Sequence, residues 1–277
     1  MLTNCTCPPL VGYQRPNWSP KYGGYPFVHI RNESSDISVE NLYFKNVQDR
    51  FFILQGNSFN LRFNNLRFTT EQMNPIYFDF DTVGFEMGDV SNVSITDTDM
   101  DFRVQESSGD RAMGTCIAFD SGTTDVVVQN VTCRRAWGGA LIMFDTIWPH
   151  IRPLVNGSTS SISNIRVSNF TFAGDHATGV QSWFSLSKRL ISNVLWEWVN
   201  VEQKTGQAAS FDPCFASQRS TQYWPTCMKM VTYETRNVSF EHFRGAVGAA
   251  PSDPKWGDVG NGLLDVETHF EDWVGNM

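Results

Sequence analysis

A nine-residue pattern recurs along the chain: Asn or Asp, apolar, any, apolar, any, an Asn-like residue, apolar, any, apolar. Copies begin at Asp36, Asn60, Asn92, Asp125, Asn164, Asn193 and Asn237, so successive starts lie 24, 32, 33, 39, 29 and 44 residues apart. In the second copy, Leu61, Phe63, Leu66 and Phe68 fill the apolar positions. Period-two alternation predicts a strand with one buried face. The sixth position breaks the alternation with Asn or Asp in five of the seven copies. There the chain must bend, and a side-chain amide can bond its own backbone. Stacked coils would set these residues one above another, each amide bonding the next. The repeat therefore predicts an all-β fold, a right-handed parallel β-helix forming a single-stranded solenoid of about seven or eight coils. A Greek-key sandwich also alternates, but it calls for turns about every 8–12 residues and no fixed cassette.

The ends of such a solenoid need covers, because a terminal coil is an open β edge. Leu263, Val266, Phe270, Trp273 and Val274 follow helical spacing with acids between them, which predicts a short amphipathic capping helix over 262–275. Residues 1–30 are rich in Pro, Gly, Tyr and Trp and are expected to form an irregular lid. The expected layout is one structural domain: lid 1–30, solenoid 31–245, tail with capping helix 246–277.

Composition narrows the functional classes. The 277 residues are 41% apolar and only 18% charged, which excludes a disordered chain. No apolar run approaches the roughly 18 residues a membrane-spanning helix needs. A net charge of −8 argues against a nucleic-acid partner. No phosphate-binding loop, dinucleotide fingerprint, nucleophile elbow or zincin motif occurs. No cofactor is expected, and a monomer is.

Cysteines stand at 5, 7, 116, 133, 214 and 227, with no CxxC pair and no histidine set to complete a zinc site. Disulfides are the better reading, with Cys116–Cys133 and Cys214–Cys227 as the natural pairs. Cys5 and Cys7 are too close for an easy mutual bridge. Eight N-x-[ST] sequons begin at Asn4, Asn17, Asn32, Asn92, Asn130, Asn156, Asn169 and Asn237. Four of these fall inside the strand cassette, which generates the motif by itself; Asn4, Asn17, Asn32 and Asn156 look loop-like. Together these features lead to the expectation of a secreted protein, although the first residues show no leader-like basic and apolar run.

Three segments carry a family resemblance. Asp81-Thr82-Val83-Gly84-Phe85-Glu86, the block from Gly114 through Cys116 to Thr123 with Cys133, and Gly138-Gly139-Ala140-Leu141 match motifs of known order. Thr178-Gly179-Val180-Gln181-Ser182-Trp183 matches less closely. The chain thus resembles glycoside hydrolase family 28, the polygalacturonases and rhamnogalacturonases, over about residues 25–245. The resemblance implies a pectin-lyase-like β-helix, the 116–133 disulfide and a loop bridge at Cys214 and Cys227.

The family's chemistry does not follow. Its members invert glycosidic bonds with a carboxylic acid that protonates the leaving group and carboxylates that activate water. On the matched motifs the general-acid aspartate falls on Val83, the Asp-Asp pair on Gly114 and Thr115, and the histidine on Gly139. The Arg and Lys that grip substrate carboxylates fall on Gln181 and Trp183. Valine and glycine transfer no proton.

Replacement groups are available nearby. Asp81 and Glu86 flank the lost aspartate; Asp110 and Arg111 sit in an insertion before Gly114; His176 precedes the lost Arg and Lys and, with Asp175, is a candidate acid/base pair. Each has a plainer reading: Glu106–Arg111 has the composition of a solvated turn, most carboxylates have no catalytic role, and loop histidines, His150 included, are mostly inert. Trp137, Trp148 and Trp183 border the family's groove and are candidate sugar platforms, with Gln181 and Arg111 as polar contacts. Trp196 and Trp198 are expected on one face of a strand, as packing. His29, His242 and His269 read as structural or exposed. The expected protein is a secreted carbohydrate-active β-helix, with a polysaccharide or small-molecule ligand in its groove. The alternatives are an inactive descendant that binds a glycan or protein, or an enzyme acting on a small apolar molecule in that groove.

Overall fold

The computed structural model describes residues 27–45, 50–70, 83–102, 114–143, 159–181, 188–202, 207–212, 232–245, 266–270 and 274–276, with the strand Cys5–Thr6. Among them there is no helix, and none long and apolar enough to cross a membrane. The strands wind into a parallel β-helix. Its first sheet runs through Val28–Ile30, Phe52–Leu54, Val83–Met87, Thr115–Phe119, the end of Thr124–Ile142, the end of Thr159–Gln181, and Gln207–Asp212. That gives seven coils among the described residues. The nine-residue cassettes supply the other two sheets, paired parallel at the spacings of the sequence repeat.

What turns each cassette is visible in its backbone. All seven first positions, from Asp36 to Asn237, take left-handed φ values of 51–56°. All seven sixth positions, Asn41, Asn65, Asp97, Asn130, Asn169, Trp198 and His242, are left-handed too, at 50–58°. Asn and Asp tolerate this conformation best among residues with a side chain. The side chains then tie one coil to the next. At the first corner, Asn60 donates to Asp36 (3.0 Å), Asn92 to Asn60 (2.6 Å), Asn164 to Asp125 (2.9 Å), Asn193 to Asn164 (3.0 Å) and Asn237 to Asn193 (3.0 Å). At the second, Asn65 donates to Asn41 (2.7 Å), Asn130 to Asp97 (3.0 Å) and Asn169 to Asn130 (2.6 Å). An ionised aspartate accepts but cannot donate, so each ladder restarts at an Asp. The bond from Asn60, then that from Ser35, hold the Asp36 carboxyl below its ordinary pKa. The four cassette sequons are ladder asparagines, their amide nitrogens already committed.

Asn130 is the central test of this device, since it both donates and accepts. Asn130→Ala is expected to cost about 2 kcal/mol, from two hydrogen bonds and an alanine held at positive φ. Asn130→Gly removes the strain and should cost about half as much. Urea melts of the two variants check both magnitude and order.

Between the corners the alternation holds the core: Leu61, Phe63, Phe68, Phe85, Ile95, Met100, Val128, Phe170 and Trp196 are all buried. Phenylalanine rings stack from coil to coil, as in Phe44 on Phe68 (5.2 Å) and Phe52 on Phe85 (5.0 Å). The disulfide Cys116–Cys133 crosses the interior of the fourth coil; Cys214 and Cys227 lie outside the described residues.

Three expectations change. The capping helix over 262–275 is not formed: Val266–Phe270 and Val274–Asn276 are strands, antiparallel to Thr232–Gly245. The last coil's edge presents unpaired N–H and C=O groups, and strands satisfy those directly where a helix cannot. At the other end, solenoid strands begin at Val28 rather than 31, and Cys5–Thr6 adds a short parallel strand beside Tyr43–Lys45. Trp196 and Trp198 do not share a face. Trp196 is fully buried, donating to the Ala140 carbonyl at 3.2 Å, whereas Trp198 occupies the left-handed corner and is 47% exposed.

Candidate functional site

Two of the positions on which the resemblance places the family's catalytic residues, Val83 and Thr115, are neighbours in the first sheet. Register sets Val83 beside Thr115, Thr115 beside Gly138, and Gly138 beside His176, one row across four successive coils of the first sheet. One residue later in each strand come Gly84, Cys116, Gly139 and Ala177. Cys116 and Ala177 lie in the core, and a Cβ on Gly139 would strike the Ala177 carbonyl and come within 2.9 Å of the Phe170 and Phe172 rings. A Cβ on Gly138 would instead meet Leu141 and, at 2.9 Å, the Thr115 hydroxyl. The residue standing outward beside Thr115 is therefore Gly138, not Gly139. The small row beneath keeps the phenylalanines packed against the backbone, which is why a glycine stands at 139.

The outer side of this sheet is not an open trench at this row. Val83, Ala118, Trp137, Leu141 and Met143 form a second apolar cluster, separate from the core and 0–9% exposed. Glu86 stands in the next row, in register between Ile53 and Ala118. It is 1% exposed and forms a buried ion pair with Arg50. A carboxylate held against a guanidinium serves as an acceptor rather than a proton donor.

The other sequence candidates fall as follows. Trp137 belongs to the apolar cluster. His176 and Gln181 are placed on their strand, His176 at the end of the row and Gln181 in register with Asp212, but their side chains lie outside the described residues. Asp81, Asp110, Arg111, Trp148 and Trp183 lie outside them altogether. Among the described residues no group of three His, Cys, Asp or Glu could hold a metal ion. Sequence reasoning passed over one feature. Trp198 stacks on His242 with centroids 4.1 Å apart and planes 16° apart, and the Arg244 guanidinium lies 5.6 Å from the Trp198 ring. The signal was present: these are the two cassettes whose sixth position is neither Asn nor Asp.

No protein-family model matches the chain, and no curated protein matches it by sequence. Among solved structures, the chain is similar to an endo-xylogalacturonan hydrolase from Aspergillus tubingensis, with a TM-score of 0.63 and 20% identity. The similarity covers 82% of this chain and 55% of that one, so the chain spans about half the length of that enzyme. At this identity the likeness establishes the β-helix fold.

Proposed function

We propose that this is a secreted glycan-binding β-helix of pectinase descent, which holds a plant-type polysaccharide and does not cleave it. One observation carries the reading: the three neighbouring positions Val83, Thr115 and Gly138 carry no carboxyl where an inverting hydrolase needs carboxyls on both sides of the bond. The apolar cluster over that sheet is, on this reading, what the cleavage face has become. It packs the coils, and sugar contacts lie elsewhere. The buried Cys116–Cys133 bridge suits an oxidising compartment. Asn32, exposed at a bend, is a described sequon free of the ladders, and with Asn4, Asn17 and Asn156 would carry glycosylation.

A hydrolytic reading has one observation in its favour. The row continues onto His176, where Asp175 adjoins it and Asp81 precedes Val83. A rearranged site would be assembled from these.

Native gels cast with neutral and with acidic plant polysaccharides test the binding claim. Retardation is expected in neutral polymers and weaker retardation in polygalacturonate, because the chain carries −8 and lacks the family's Arg and Lys. Unchanged mobility in every polymer would overturn the proposal.

A further inference from the structure

The corner formed by the sixth cassette position changes character along the molecule. Over five coils it carries Asn41, Asn65, Asp97, Asn130 and Asn169, side chains suited to a left-handed backbone. In the last two cassettes Trp198 (φ 54°) and His242 (φ 53°) take the same conformation. A tryptophan there is a conformational outlier, disfavoured relative to ordinary backbone. It also forgoes the ladder bond that an asparagine would donate to Asn169. Strain of this kind, at an exposed aromatic, calls for a compensating role.

The surroundings supply one. The stacked rings leave the indole 47% exposed, with Arg244 alongside. Val199 and Val201 are buried, so the strand places Asn200 outward. Register aligns Thr132, Thr171, Asn200 and Arg244 in one row beside the corner. Rungs repeat at about 4.8 Å, so an extended ligand along this row meets an amide, hydroxyl or guanidinium donor at each step. A half-exposed aromatic ring beside a line of neutral donors and one cation matches a pyranose, which offers C–H groups on its face and hydroxyls around its rim. An apolar peptide would leave the polar row unmatched.

We propose that Trp198, braced by His242 and flanked by Asn200 and Arg244, is the platform on which a glycan's pyranose ring rests. This inference rests on the glycan-binding reading above and assigns that binding to the corner between the second and third sheets, away from the lost cleavage face.

Trp198→Asn separates this from a structural role. The replacement restores the residue type of the other corners and extends the ladder to Asn169, so its melting temperature should equal or exceed that of the parent. Its binding constant for a neutral polysaccharide, from retardation at graded polymer concentrations, should be about tenfold weaker or more, the effect of losing an anchoring aromatic. Trp198→Tyr should keep most of the binding. If Trp198→Asn binds as the parent does, the platform is wrong while the glycan-binding reading stands. If Trp198→Asn loses stability and Trp198→Tyr restores stability without binding, the stack is structural and the platform is equally wrong. If the parent itself is not retarded, the broader reading fails first.

Discussion

Replacing Glu86 by Ala is expected to destabilise the protein by about 3–5 kcal/mol, the largest single effect in this account. Glu86 and Arg50 are 1% and 4% exposed, and their side chains meet in a buried ion pair. Two charges taken out of water are tolerable together because each stabilises the other. Removing one leaves the desolvation of the other without that return. Reversing the logic gives the control: the double variant Arg50→Met, Glu86→Leu should recover most of the loss, since an apolar pair of similar volume avoids the desolvation. Urea melts read both. A Glu86→Ala variant within 1 kcal/mol of the parent would mean that the pair is not closed off from solvent.

Removing the disulfide ranks next. The double variant Cys116→Ala, Cys133→Ala is expected to cost about 3 kcal/mol, the loop-closure estimate for a cross-link of this span. The bridge joins residues 17 apart, and both cysteines are fully buried. It ties the first sheet to the third across the interior of one coil, where Cys133 is in register with Met100 and Phe172. The transition midpoint in urea should fall with the slope nearly unchanged. A thiol count on the unfolded, unreduced parent gives independent support: reactive thiols at both positions would contradict the bridge.

How far the sequence carried these conclusions depends on what each element needs. The cassettes were legible because a left-handed corner demands Asn or Asp, and that demand recurs at positions one and six. The same rule concealed Trp198 and His242, which occupy the corner without the residue type that marks it, so alternation was extended through a bend. Strands of the first sheet carry no such marker. They place two consecutive residues inward, as at Gly139 and Ala140, so neither alternation nor the motif match that set the family's histidine on Gly139 tells which glycine stands outward. The C-terminal segment fits helical spacing locally, but Val266, Thr268 and Phe270 also alternate, and the open edge of the last coil favoured that pattern. The buried pairing of Glu86 with Arg50 joins residues 36 apart in sequence and has no local signature at all.

The central claim is that the glycan is held and left intact. Its most direct test is the release of reducing ends during prolonged incubation of the pure protein with the polysaccharides that retard it. No increase over a protein-free control is expected. Accumulating reducing ends that disappear with His176→Ala would contradict it and establish a hydrolase rebuilt around the end of the Val83 row.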